Sequence, residues 1–203
     1  MAQRKAKDML SYLDPHELAK VLHQVLIRHP DLKDEANIIA NDLLNDISVE
    51  TVSEEVTDLV LGVGLEALGN RAGKRPWGYV EPGEAAWVVL EESIEGIQND
   101  MKRRMKVGLE LSAEKLCQGI VIGLYNAMEA KCDGALAWAP DFPAEAAAHS
   151  VSDLIELYPR NRRRAAAKRI IVGVEEQAEE WLELLHQTVE RAISSKRPTG
   201  KTK

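Results

Sequence analysis

The sequence predicts an all-α protein, about seven antiparallel helices in a bundle or a stack of helical hairpins. Three observations lead there. Apolar residues recur every three or four positions along most of the chain, the period of an amphipathic helix. Aromatic residues are only 4% of the 203, while Ala, Leu, Val, Ile and Glu dominate, a composition suited to helices packed through aliphatic stripes. No alternation of apolar and polar residues competes for strand.

The first helix is predicted over 14–29. Asp14 is a good N-cap, Pro15 fits the first helical position, and Glu17 completes a capping box. Leu18, Val21, Leu22, Val25 and Leu26 form its stripe. Pro30 stops it. Asp31 is expected to cap a second helix bearing Leu32, Ala36, Ile39, Leu43 and Ile47, and the short turn predicts antiparallel packing of the pair. Ser48 or Glu50 opens a third helix through Val52, Val56, Leu59, Val60, Val63 and Ala67, ending near Gly69 and Asn70.

Residues 70–83, rich in Gly and Pro, read as a long loop. A fourth helix over 84–106 carries Ala86, Leu90, Ile94, Ile97, Met101 and Met105 on one face, and Gly108 ends it. Ser112 is expected to cap a fifth helix. Positions 116–128 hold no charge, so this helix should be the most buried, with Gly119 and Gly123 facing a close neighbour. A helical turn is expected at 135–138. Asp141 should cap a sixth helix that Pro159 closes. The last helical stretch spans 161–195, long enough for a break near Gly173. One domain over 1–195 is expected, followed by a disordered basic tail over 196–203.

The segment GYVEPGEAAW, which runs from the loop into the fourth helix, resembles one in uncharacterised bacterial all-helical proteins. That resemblance implies a bacterial, cytoplasmic helical protein and carries no functional residue.

The formal net charge is −7, although Arg4, Lys5 and Lys7 and then Lys196, Arg197, Lys201 and Lys203 make both ends basic. The acidic body argues against broad nucleic-acid binding. Two cysteines, Cys117 and Cys132, make no disulfide framework and fit a reducing cytoplasm. The N-terminal segment lacks the apolar region of a signal peptide. No run of about 18 apolar residues predicts a membrane span.

Glu91-Glu92-x-x-Glu95 resembles the first half of the metal motif in all-α nucleotide pyrophosphohydrolases. In such a site, carboxylates one helical turn apart hold Mg²⁺ beside a triphosphate. The second half, Glu-x-x-Asp on the following helix, is missing. The same half-motif recurs at Glu54-Glu55-x-x-Asp58 and Glu175-Glu176-x-x-Glu179, which favours a solvated helix face. The histidines, at 16, 23, 29, 149 and 186, show no zinc-ligand spacing.

Two basic clusters stand out. Lys102, Arg103, Arg104 and Lys106 end the fourth helix, where cations complement the helix dipole. Arg160, Arg162, Arg163 and Arg164, with Lys168 and Arg169, begin the last helix, where positive charge opposes the dipole. That placement suggests a compensating anion, internal or external, with a merely solvated charge cluster as the plainer alternative. In the loop, Arg71, Lys74 and Arg75 accompany Trp77 and Tyr79, as a binding surface or as a plug folded back on the helices.

With no complete catalytic set, the expectation is a non-enzymatic interaction or scaffold protein with a protein partner, no cofactor and no membrane span. Oligomerisation and an anionic partner remain open. The alternatives are a metal-dependent phosphohydrolase using Glu91, Glu92 and Glu95, and local nucleic-acid or anion binding through the arginines of 160–169.

Overall fold

The computed structural model of the protein describes residues 9–76, 78–130 and 133–195, without the side chain of Arg75. Cys132 and the 196–203 tail lie outside them. Contacts cluster into two compact units, Met1–Leu43 and Leu44–Lys203, where the sequence is read as one domain over 1–195. The all-α class holds: nine α-helices occur among the described residues, with one small antiparallel β-hairpin.

In the first unit, α1 (Pro15–Arg28) begins as expected. Glu17 N–H donates to Asp14 Oδ1 at 2.8 Å, and Asp14 N–H donates to Glu17 Oε2 at 3.1 Å. A 3-10 turn, Pro30–Leu32, then leads into α2 (Lys33–Asn45). Asp31 lies inside that turn and does not cap α2. The expected antiparallel packing also fails. Close approach is between α1 and the turn, and the two helices do not pack along their lengths. Only His29 departs from helical backbone (φ −129°, ψ 74°) before Lys33 is helical again (φ −64°, ψ −39°), so a short connection here need not reverse the chain. Neither helix has a buried residue.

The second unit is built around α6 (Glu110–Glu129), which buries twelve residues, more than any other described helix. It packs on α3 (Val49–Leu61), α5 (Pro82–Lys106), α7 (Phe142–Leu157) and α8 (Arg160–Val172). Gly119 and Gly123 face α3, as expected. A Cβ on Gly119 would meet Val52 at 2.5 Å, and one on Gly123 would meet the Ser53 carbonyl at 2.5 Å. Thr57 donates across this contact to the Gly123 carbonyl at 3.0 Å.

Ser48 caps α3 by accepting from Thr51 N–H. That helix stops at Leu61 rather than continuing to Gly69. The break frees the Val63 carbonyl to accept from Ala135 N–H at 2.9 Å, and a short α4 (Leu65–Gly69) follows. Gly108 ends α5 in a Schellman motif: its φ is +85°, its N–H donates to Met105 O, and Leu109 N–H donates to Arg104 O. Helix α6 then starts at once. Ser112 is therefore inside its first turn and does not cap it; its hydroxyl donates to Asn45 Oδ1 at 2.7 Å. Asp141 holds the N-cap position of α7, but its side chain makes no capping bond.

A 3-10 turn over Ala135–Trp138 matches expectation. The long terminal helix is broken near Gly173: α8 ends at Val172, and α9 (Leu182–Ser194) follows a 3-10 turn at Glu179–Trp181. A Gly173 Cβ would meet the side chain of Gln118, whose amide donates to the Arg169 carbonyl at 2.9 Å. The break lets α9 pack on both α7 and α8.

The 70–83 segment departs from the loop expected of it. β1 (Gly73–Arg75) pairs antiparallel with β2 (Gly78–Val80), Lys74 facing Tyr79. Gly73 (φ +89°) and Gly78 (φ +145°) take backbone angles that other residues rarely adopt. Three-residue strands without an apolar stripe leave no period to read.

Candidate functional site

The arginine cluster is mostly explained from within. Arg163 is buried, and its guanidinium donates to the carbonyls of Glu156 (3.1 Å), Tyr158 (3.2 Å), Ala192 (2.6 Å) and Ser195 (3.2 Å). These carbonyls belong to the C-terminal ends of α7 and α9. Helix C-termini carry partial negative charge and unpaired acceptors. The start of α8 therefore holds cations because two helix ends converge on it, and Arg163 is withdrawn from any surface. Arg160 Nη2 lies 3.5 Å from the Ser195 carbonyl.

Arg162 pairs with Glu110 through both carboxylate oxygens and lies over the Tyr158 ring, 5.8 Å from its centroid. Arg169 grips the buried carboxylate of Glu114, Nε to Oε2 at 2.7 Å and Nη2 to Oε1 at 2.5 Å. The Tyr158 hydroxyl donates to the same Oε1 at 2.6 Å. Burial and this bond to Glu114 push the tyrosine's ionisation well above its ordinary range. Glu114 lies two residues before the uncharged run of α6, the signal in the sequence that points to it.

Two cations of the cluster remain on an open surface. Arg164 and Lys168 share a face of α8, one turn apart, and edge a groove of about 570 Å³ between α8 and α9. Ile171, Val189 and Ile193 line it, with Glu175, His186 and Glu190 also at its walls. A second groove, about 730 Å³, is lined by Ile47, Val52, Ile97 and Leu116 together with Glu55 and Asp100.

The acidic motif is divided among separate tasks. Glu92 pairs with Arg71 at 2.5 Å. Glu95 accepts weakly from Asn99 at 3.4 Å. Glu91 lines a different groove, of about 330 Å³, with His149, Asp153 and Lys102. Among the described residues, no three His, Cys, Asp or Glu side chains come together as a metal site. Cys117 is buried in α6, where burial pushes its thiol far above the reactive range and leaves it a small apolar side chain.

In the hairpin, Lys74 and Tyr79 are exposed, so Tyr79 is not folded back as a plug. Trp77 and the Arg75 side chain lie outside the described residues. Arg71, just before the hairpin, pairs with Glu92 of α5.

The basic end of α5 is structural. Asp100 accepts from Arg103 and from Arg104, whose buried guanidinium also donates to the Leu44 carbonyl. Burial alone would raise the Asp100 carboxyl, but hydrogen bonds from Arg103 and Arg104 outweigh it and hold it below its ordinary value of 3.8. A depressed folded-state value contributes stability that is present above the unfolded value and lost as pH falls through the folded one. Asp100→Asn is therefore expected to shrink the fall in stability on acidification below about pH 4. Urea midpoints across that range, compared with wild type, give the check; an unchanged acid limb would deny Asp100 this role.

No protein-family model, curated protein or solved structure matches the chain. No helix among the described residues is long and apolar enough to cross a membrane.

Proposed function

We propose that the protein is a non-enzymatic helical interaction protein, and that α1 and α2 are its contact surface. One observation carries this reading: two amphipathic helices hold their apolar faces in the open. Leu22, Ile39 and Leu43 are 53%, 53% and 71% exposed, and neither helix has a buried residue. Apolar side chains left open at successive turns of a helix are the kind of surface that marks a contact site. The sequence supports helix formation here independently, through the Asp14 capping box. A cytoplasmic, bacterial setting is part of the proposal, supported by the scarcity of cysteines and by the GYVEPGEAAW resemblance.

Capture from a lysate of the native host tests the reading. Proteins held by the wild-type chain are expected to be lost when Leu22→Glu and Ile39→Glu are combined. Retention of the same set by that variant would refute it.

A second reading has one specific observation in its favour. Arg164 and Lys168 edge an open groove with an apolar floor, which suits a partner carrying acidic and apolar groups. It predicts binding that weakens with salt, because exposed charges are screened.

A further inference from the structure

We propose that the partner of α1 and α2 is a second copy of this chain, with α1 of each copy lying against α2 of the other. This rests on the protein-binding reading above and names the occupant. The apolar residues recur at heptad spacing. Leu18, Leu22 and Val25 mark α1; Leu32, Ile39 and Leu43, with Ala36 between, mark the 3-10 turn and α2. Steps of four and three place side chains on a seam that closes by interlocking with another helix.

Both seams are open. The six large side chains are between 36% and 71% exposed. Helices of 13 and 14 residues without a buried residue are marginal in water. Laid against the helices of a second copy, each seam gains the partner it lacks within its own chain.

Charge selects which helix meets which. Helix α1 carries Lys20 and Arg28 against Glu17, and α2 carries Asp34, Glu35 and Asp42 against Lys33. The first is net positive and the second net negative. A two-fold pairing repeats the same contact twice, so α1 against α2 joins opposite signs in both halves. Pairing α1 with α1 would join like signs, as would α2 with α2.

Sedimentation velocity of the full chain, from about 1 to 100 µM, reads the association directly. The wild type is expected to reach twice the chain mass within that range. Combined Leu22→Glu and Ile39→Glu should leave a monomer whose second unit unfolds at the wild-type midpoint. A further pair of variants leaves the seams intact. Lys20→Glu with Arg28→Glu makes both helices acidic, whereas Glu35→Lys with Asp42→Lys makes both basic. Each alone should associate at least about tenfold more weakly, and the two mixed should recover dimer, because every α1–α2 contact then joins opposite signs. A mixture that stays monomeric overturns the proposed pairing, as does a seam variant that still dimerises. A wild-type chain that remains monomeric throughout overturns the second-copy assignment alone, since the capture experiment judges the protein-binding reading separately.

Discussion

Gly123→Leu is expected to destabilise the second unit by more than about 3 kcal/mol. The reason is the distance of closest approach between α6 and α3. A Cβ at position 123 would lie 2.5 Å from the Ser53 carbonyl oxygen and 2.7 Å from Val56 Cβ. The first of these atoms is backbone, so relief requires α3 to move away from α6. That is the most extensive helix contact in the unit, and Val52, Val56 and Val60 are buried along it. Even Gly123→Ala should destabilise. Alanine gains up to about 1 kcal/mol in helix propensity, but overpacking a well-filled interior costs about 1–3 kcal/mol, and here the clash is with backbone. Gly96 supplies the control: it lies inside α5, where an added Cβ meets nothing within 4 Å. Gly96→Ala is therefore expected to stabilise by about 0.5–1 kcal/mol. Urea unfolding of the three variants decides the matter. Equal midpoints for Gly123→Ala and Gly96→Ala would mean that α3 and α6 do not approach so closely.

These two glycines show where the sequence was legible and where it was not. The charge-free run of α6 pointed to burial at Gly123, because local composition and burial agree along a central helix. The Asp14 capping box and the Gly108 helix stop were legible for the same reason: each is set by backbone needs a few residues long. Features that depend on distant partners were not. Ser112 reads as a cap by its neighbours, yet it lies inside the first turn of α6 and bonds to Asn45, 67 residues away in sequence. The α1 stripe reads as an intramolecular contact with α2, because periodicity reports that a face wants covering and says nothing of what covers it. The 73–80 hairpin is too short to show a period. The arginines of 160–169 were recognised as electrostatically misplaced. What stood opposite them, two helix C-termini, is a product of the break near Gly173 and of α9 packing back on α7.

Arg163→Met is expected to destabilise the second unit by at least about 1–3 kcal/mol, the range for leaving a buried hydrogen-bonding group without its partner. Methionine keeps much of the apolar stem and its packing, so the loss isolates the guanidinium. Without it the carbonyls of Glu156, Tyr158, Ala192 and Ser195 lose a shared donor at the ends of α7 and α9. A buried acceptor left without a partner costs more than the bond was worth on balance. Arg163→Lys keeps the positive charge at the two helix ends but replaces a planar fork of five donors with a compact group of three. It should recover part of the loss, and the size of that recovery separates dipole compensation from hydrogen-bond geometry. Arg160, Arg164 and Lys168 lie on the exposed side of the same helix. Changing each of them to Gln should shift stability by less than about 0.5 kcal/mol, the usual effect at an open surface. Denaturant unfolding of these variants gives the comparison. If Arg163→Met costs no more than Arg164→Gln, the convergence of α7 and α9 on the start of α8 does not depend on this guanidinium, and the arginines there need another explanation.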